Sequence, residues 1–265
     1  MIEIGINPIA FSIGSFSVRW YGVMIALGVL VLVLWMLREV KKGDRLSYDI
    51  VITAALVALP SGIIVSRLLY VIDRWVYVGD PGPLWGFEGL TIWGAVLGAT
   101  LGIWVYSRFT KFPFGHFMDL VALPTLLAQA LGRVGCTING CCYGLPTSLP
   151  WGVVYTHHES YGYTASLNLP EGMGLHPTQP YEIIFLLITF GVLFFLRKRF
   201  KPDGSLFLIY LSAYSAWRVG VGFLREGTPF LFGLQQAQVI GIIVLLIAVP
   251  ILIWRTRWVK KPSLS

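Results

Sequence analysis

Long apolar runs alternate with short polar stretches along this chain. Seven of the runs approach the roughly 20 residues that a helix needs to cross a bilayer. We therefore predict seven transmembrane helices at residues 18–37, 48–72, 90–107, 116–134, 180–197, 204–223 and 237–255. The expected fold class is an all-α polytopic membrane protein. Residues 1–265 are expected to form a single integral membrane domain, with a long outer loop at 135–179.

The positions of the basic residues predict how the chain is oriented. All seven lysines and seven of the thirteen arginines follow the first, third, fifth or seventh predicted helix. These stretches are Arg38–Arg45, Arg108–Lys111, Arg197–Lys201 and Arg255–Lys261. Because cytoplasmic loops carry an excess of Lys and Arg, the N-terminus is expected outside and the C-terminus inside.

Composition supports the membrane class. Hydrophobic residues make up 56% of the chain and charged residues only 12%, whereas a soluble domain is about 25% charged. The net charge of +7 comes from short loops between apolar runs, so we expect membrane lipids and no nucleic acid as partners. The first apolar run has no basic segment before it, so a cleavable signal peptide is not expected.

Six arginines fall outside the basic loops, at or near the opposite ends of the helices. They are Arg19, Arg67, Arg74, Arg133, Arg218 and Arg225. An arginine in hydrocarbon is costly and needs a partner or a purpose, and its planar fork suits phosphate. The pattern predicts a binding site for an anionic lipid headgroup. Arg67 could instead pair with Asp73, and an interfacial position is favoured for Arg19, Arg74 and Arg225.

The segment 132–144 has the sequence GRVGCTINGCCYG, and it combines an arginine with four glycines. Tight turns at Gly132, Gly135, Gly140 and Gly144 would expose backbone amides to an anion. The alternative is a plain helix end followed by a turn. Asn139 is the expected polar contact in this segment.

Three cysteines lie in the same segment, at Cys136, Cys141 and Cys142. Their spacing does not match the common zinc motifs, so no metal site is predicted. We expect them either to pack as small apolar residues or to form one disulfide between Cys136 and Cys141. A thiol nucleophile is a third alternative. His157, His158 and Glu159 are expected to lie in an exposed polar loop rather than bind a metal.

This segment resembles the signature of the prolipoprotein diacylglyceryl transferase family, which runs roughly Gly-Arg-x-Gly-Asn-Phe-x-Asn-Gly-Glu-x-x-Gly. Further similar motifs occur in the family's order over essentially the whole chain, at Arg19–Gly22, Gly89–Gly98, His176–Glu182, Tyr214–Arg225 and Gly233–Gln238. The chain departs from the family pattern at four positions. Trp93 stands where many members have histidine, Cys136 replaces Asn, Cys141 replaces Glu, and Gly222 replaces Glu.

The resemblance implies a bacterial inner-membrane enzyme that moves a diacylglyceryl group from phosphatidylglycerol to the lipobox cysteine of a prolipoprotein. It would form a thioether, release glycerol phosphate, need no cofactor and act as a monomer. Arg133 and Arg218 would hold the leaving phosphate. Tyr21 would donate a hydrogen bond or anchor the interface, and Glu182 would act as a base, orient an arginine or simply occupy a helix start. Trp93, Asn139 and the four glycines would line the headgroup site.

Two other function classes remain open from the residues alone. A lipid-binding or lipid-transporting relative would keep the arginines and lose catalysis, which the changes at Trp93 and Gly222 would favour. A thiol-redox membrane enzyme would use the three cysteines. Transfer from phosphatidylglycerol to a lipobox peptide would distinguish the transferase from a lipid-binding or lipid-transporting relative. Loss of function in Cys→Ser variants would identify a thiol-redox enzyme.

Overall fold

The computed structural model describes residues 1–14, 16–80, 82, 92–225, 227 and 229–258. Helices dominate this part of the chain, and short strands lie between them. The helices are α1 (Trp20–Lys41), α2 (Tyr48–Val78), α3 (Ile92–Thr110), α4 (Phe114–Asn139), α5 (Tyr163–Leu167), α6 (Thr178–Leu196), α7 (Ser205–Gly222) and α8 (Gln236–Arg255). The strands are β1 (Ile2–Ile4), β2 (Ile9–Ile13), β3 (Phe16–Arg19), β4 (Pro146–Thr147), β5 (Val153–Tyr155), β6 (Gly174–Leu175), β7 (Phe200–Lys201), β8 (Pro229–Leu231), β9 (Leu234–Gln235) and β10 (Arg257–Trp258).

A long helix is present at each of the seven segments predicted from the sequence, and the expected helical class is confirmed. Among the described residues, α1, α2 over Tyr48–Ile72, α4, α6 and α8 are long and apolar enough to cross a membrane. These helices carry large apolar side chains on their outer faces, including Leu56 (65% exposed), Ile188 (62%) and Ile253 (77%). Such side chains suit contact with lipid tails. The short helix α5 was not predicted.

The chain packs as two compact units. The unit formed by residues 33–117 is built on close packing of α2 against α3. A Cβ at Gly98 would meet the Ser61 carbonyl oxygen, and one at Gly102 would meet the Ser61 hydroxyl. Glycine therefore lets the two backbones approach, as small residues do in membrane helix pairs. Near the start of α4, His116 Nε2 lies 2.8 Å from Asp44 Oδ1.

The other unit contains residues 1–32 and 118–265. Its helices also meet at small residues. A Cβ at Gly28 in α1 would lie 3.1 Å from the Ala128 carbonyl oxygen in α4, and one at Gly241 in α8 would lie 3.1 Å from the Ser215 carbonyl oxygen in α7. Asp119 in α4 accepts hydrogen bonds from the backbone amides of Gly204 (2.7 Å) and Phe207 (2.9 Å). The carboxylate thus satisfies the first free amides of α7.

The segment between α4 and α6 is not an open loop. It supplies three strands of a four-stranded sheet, and β1 from the N-terminal segment supplies the fourth. The order is β1-β5-β6-β4, in which β1 runs parallel to β5 and the other pairs are antiparallel. Val153, Tyr155 and Leu175 form its core. Burial raises the pKa of the Tyr155 phenol, so it stays neutral, and it accepts a hydrogen bond from Gln179 Nε2 at 3.2 Å. This small sheet is fixed to the start of α6 by that contact.

Candidate active site

A buried carboxylate joins three of the long helices. Glu182 lies near the start of α6 with 2% of its side chain exposed, and its Oε1 is 2.9 Å from Arg133 Nε in α4. Its Oε2 is 4.0 Å from Arg218 Nη1 in α7. The Tyr214 hydroxyl, one turn before Arg218, donates to Glu182 Oε1 at 3.2 Å. The two arginines predicted from the sequence to share a site therefore contact the same carboxyl group.

Arg218 retains hydrogen-bonding capacity in this cluster. Its side chain is 12% exposed, and its buried Nη1 has no hydrogen-bond acceptor within the described part of the chain. The 4.0 Å separation from Glu182 is too long for a hydrogen bond. Two guanidinium groups and one carboxylate leave a net charge of plus one in a place shielded from water. A buried donor without an acceptor, in a cationic cluster, is suited to an anion.

The end of α4 differs from the prediction. We expected a turn from residue 135, but the helix continues to Asn139, and the segment predicted as a loop at 135–179 begins at Gly140. Gly140 has φ +69°. Its amide donates to the Thr137 carbonyl at 3.3 Å, and the Cys141 amide donates to the Cys136 carbonyl at 3.1 Å. This is the Schellman pattern of a helix C-terminus, in which the residue after the glycine contacts the last turn.

The three cysteine sulfur atoms lie together, all within 4.8 Å of one another. Cys136 is buried, Cys141 and Cys142 are partly buried, and all three are free thiols. The disulfide expected as one alternative is therefore not formed. Spacing along the chain did not reveal this cluster. The helix end brings Cys141 back onto Cys136, and a left-handed residue, Cys142 with φ +66°, brings in the third sulfur.

The first turn of α6 fixes this cysteine segment. Thr178 Oγ1 donates to the Cys142 carbonyl at 2.6 Å, and Gln179 Nε2 donates to the Cys141 carbonyl at 2.7 Å. Both side chains are almost fully buried. On the other side, Arg133 Nη1 lies 3.9 Å from Cys136 Sγ. Arg133 therefore contacts both the carboxylate cluster and the thiol cluster.

The glycines of the segment serve packing and turn formation rather than an exposed set of amides. Gly140 and Gly144 donate their amides to protein carbonyls, the latter to His176 at 2.9 Å. A Cβ at Gly135 would lie 3.1 Å from Tyr21 Cα, and one at Gly132 would lie 3.5 Å from a side-chain carbon of Ile25. The amide-lined anion site predicted at Gly140 and Gly144 is thus not formed, because these amides are already used.

Asn139 binds Arg19, a contact that the sequence did not reveal. Asn139 is 5% exposed, and its Oδ1 accepts a hydrogen bond from Arg19 Nη1 at 3.1 Å. Arg19 also lies 3.7 Å from Glu159 Oε2 and stacks over Tyr161 at 5.0 Å. These contacts hold the residue before α1 against the end of α4. Arg19 therefore has protein partners, whereas the sequence favoured a position at the membrane interface.

The remaining predicted site residues have different surroundings. Tyr21, in the first turn of α1, is within electrostatic range of Arg133 and of the three cysteines. Trp93 is the second residue of α3, and its side chain lies outside the described residues. Asp73, considered as a partner of Arg67, also has an undescribed side chain. The guanidinium of Arg67 lies over the Tyr70 ring at 5.0 Å.

Arg74 is a surface residue. It pairs with Asp80 at 3.1 Å. The Gly82 amide and the Arg74 guanidinium hold the pKa of the Asp80 carboxyl below its usual range.

Comparison with known proteins identifies the family. The family model for prolipoprotein diacylglyceryl transferase matches residues 8–254. The chain belongs to the prolipoprotein diacylglyceryl transferase family. A relative from Dehalococcoides mccartyi (strain ATCC BAA-2266 / KCTC 15142 / 195) is 50% identical over 262 residues, which cover 98% of each chain. Relatives from Clostridium tetani (36% over 226 residues, 84% of this chain and 86% of the relative) and Symbiobacterium thermophilum (32% over 267 residues, 98% and 96%) are more distant.

All three relatives carry the name phosphatidylglycerol–prolipoprotein diacylglyceryl transferase. The matched region runs from just before β2 to the last turn of α8. The diacylglyceryl transferase family resemblance expected from the motifs is thereby confirmed. The arginine–glutamate cluster and the thiol cluster both lie inside the matched region.

Proposed function

We propose that this protein transfers a diacylglyceryl group from phosphatidylglycerol to the cysteine thiol of a prolipoprotein lipobox. Its relatives carry the name of this activity. The observation that carries the proposal is the buried Nη1 of Arg218, which lacks a hydrogen-bond acceptor in the described structure. It lies beside the Arg133–Glu182 pair, so the cluster has room for one more negative charge.

The reaction needs this charge arrangement. The thiolate attacks the glyceryl carbon that bears the phosphate, a carbon–sulfur bond forms, and the carbon–oxygen bond to the phosphodiester breaks. Glycerol phosphate leaves with one negative charge more than the phosphodiester had. Fixed guanidinium groups stabilise that developing charge more in the transition state than in the substrate. Arg218 would contact the phosphate directly, while Glu182 would hold Arg133 in position rather than act as a free base.

We further propose that the chain has seven spans with the N-terminus outside, and that it works in the bacterial cytoplasmic membrane as a monomer. The basic stretches follow α1, α3, α6 and α8, and cytoplasmic loops are enriched in such residues. Arg133 and Arg218 both lie toward the C-terminal ends of α4 and α7, away from the basic stretches that precede these helices. The phosphate site would therefore be in the outer half of the membrane. A secreted precursor would present its lipobox on that side.

The test is incubation of the purified protein with phosphatidylglycerol and a lipobox peptide, followed by mass analysis of the peptide. Arg133→Ala and Arg218→Ala should each lower the rate by about 10²–10³, as loss of one preorganised donor does. Arg218→Lys should recover only part of the rate, since a point charge lacks the guanidinium fork. Arg74→Ala, which removes an exposed surface pair, should leave the rate unchanged. Full activity in either site variant would exclude that arginine from the mechanism.

A further inference from the structure

The thiol cluster of Cys136, Cys141 and Cys142 has the composition and geometry of a three-ligand metal site. The sulfur atoms are within 4.8 Å of one another, and sulfur ligands of a tetrahedral zinc, each about 2.3 Å from the metal, lie roughly 3.8 Å apart. A contraction of about 1 Å in the widest pair would therefore suffice. The cluster is held in place by Thr178 and Gln179, which bond to the carbonyls of Cys142 and Cys141.

We infer that Cys136, Cys141 and Cys142 bind one zinc ion whose fourth position receives the acceptor thiol of the substrate peptide. This inference rests on the proposed transferase function, because that reaction alkylates a thiol. Catalytic zinc sites keep three protein ligands and one open position. Cys141 and Cys142 are only partly buried, so the cluster is not sealed within the protein.

Charge balance favours zinc over a monovalent soft metal. Three thiolates with Zn²⁺ carry a net charge of minus one, whereas three thiolates with Cu⁺ carry minus two and already complete a trigonal coordination. The surroundings are mildly cationic. Arg133 Nη1 is 3.9 Å from Cys136 Sγ, and the charge of Arg225 acts on Cys142. Glu182 already pairs with Arg133, so Arg225 is a further cation that can offset the charge of a minus-one site.

Zinc would promote loss of the acceptor thiol's proton, a task for which the neighbouring carboxylates are not available because both are paired with arginines. Glu182 pairs with Arg133 at 2.9 Å, and Glu159 lies 3.7 Å from Arg19. The acceptor thiol must lose its proton before it attacks, since the thiolate is the nucleophile. A thiol that coordinates zinc is deprotonated outright. Its proton goes to solvent, the sulfur forms the thioether, and glycerol phosphate leaves toward Arg218.

The size of the effect follows from ordinary thiol ionisation. A free cysteine with a pKa of about 8.5 is only about 3% thiolate at pH 7, so full deprotonation raises the nucleophile population by roughly 30-fold. Zinc-free enzyme should therefore transfer about 10- to 30-fold more slowly at pH 7. The difference should shrink as the pH approaches 9, because the free acceptor thiol then ionises without the metal.

The first test measures metal content without relying on activity. The full-length protein is purified under reducing conditions without a histidine tag, and its metals are determined by mass spectrometry. We expect about one zinc per chain. It should be lost in Cys136→Ser/Cys141→Ser/Cys142→Ser and kept in His157→Ala/His158→Ala, a control that removes the stacked histidine pair. A zinc-free wild type after dialysis against zinc, copper in its place, or zinc retained by the cysteine variant would overturn the inference.

A second measurement covers the case in which the triple variant does not fold. Cobalt replaces zinc in the wild-type protein, and thiolate-to-cobalt absorption is recorded before and after addition of a lipobox peptide. The cysteine peptide should change the cobalt bands, and the same peptide with serine should not. Equal spectra with both peptides would refute coordination of the acceptor thiol.

Transfer assays separate this inference from the proposed function. Chelator-treated enzyme should transfer about 10- to 30-fold more slowly at pH 7 and should regain the full rate with added zinc. Unchanged transfer by zinc-free enzyme would refute the zinc site and leave the transferase function intact. Zinc-loaded wild type that never modifies the peptide would refute the transferase function and leave the metal site standing.

Discussion

Removal of the Glu182 charge is the sharpest perturbation of the carboxylate cluster. Glu182→Gln keeps the shape of the side chain and an oxygen for the Tyr214 hydroxyl, but it leaves two buried guanidinium groups without a counter-charge. The Glu182 side chain is 2% exposed and that of Arg133 9%, so solvent screens this loss only weakly. Removing one partner of such a buried pair costs about 3–5 kcal/mol. We expect the free energy of unfolding to fall by that amount.

The assay is equilibrium unfolding in mixed micelles, followed by circular dichroism. Tyr214→Phe is the matched control, because it removes only one neutral hydrogen bond to the same oxygen and should cost about 1 kcal/mol. Arg133→Met combined with Glu182→Gln should be less destabilising than the sum of the single changes, with a coupling of roughly 1–3 kcal/mol. If Glu182→Gln costs no more than Tyr214→Phe, the carboxylate is not the charge partner described above.

Three further outcomes test other parts of the structure. Cysteines should be labelled only from the cytoplasmic side when they replace Lys42, Lys111 or Lys201. Labelling from outside would contradict the proposed orientation. Asp119→Ala should lower the free energy of unfolding by about 1–3 kcal/mol, because two amides at the start of α7 lose their acceptor; an unchanged denaturation midpoint would show that this contact is dispensable. Gly140→Ala should lower the thermal midpoint more than Gly172→Ala, since both glycines have positive φ but only a Cβ at Gly140 would meet Ser160. Equal shifts would show that the clash with Ser160 does not contribute.

Much of the architecture is determined locally by the sequence. Apolar runs near 20 residues long specify membrane helices because every backbone amide in lipid must bond within its own segment. All seven predicted segments contain a long helix, and the predicted ends differ by a few residues. The family resemblance was also accessible, because it rests on motifs in a fixed order. Arg133 and Arg218 were candidates from the chain alone, since charges in apolar runs require an explanation, and Glu182 was a candidate through the family motif at the start of its helix.

The end of α4 shows where local reasoning was insufficient. The glycines of segment 132–144 predicted a turn from residue 135, yet the helix continues because Gly135 allows Tyr21 of α1 to pack closely against it. Glycine lowers helix propensity by only about 1 kcal/mol, and tertiary packing overrides it. The actual stop is Asn139-Gly140, a signal present in the sequence. Recognising it as a helix C-cap would have predicted that Cys141 returns to Cys136.

The sequence by itself determined the membrane class, the helices, the family and the residues with unusual chemistry. Only the tertiary structure decided which of these residues meet. The pairing of Arg133 with Glu182 and the binding of Asn139 by Arg19 join residues from different elements. Their distances depend on how α1, α4, α6 and α7 pack, and packing depends on side-chain shape and close backbone approach at positions such as Gly28 and Gly135. Spacing along one chain does not encode those distances.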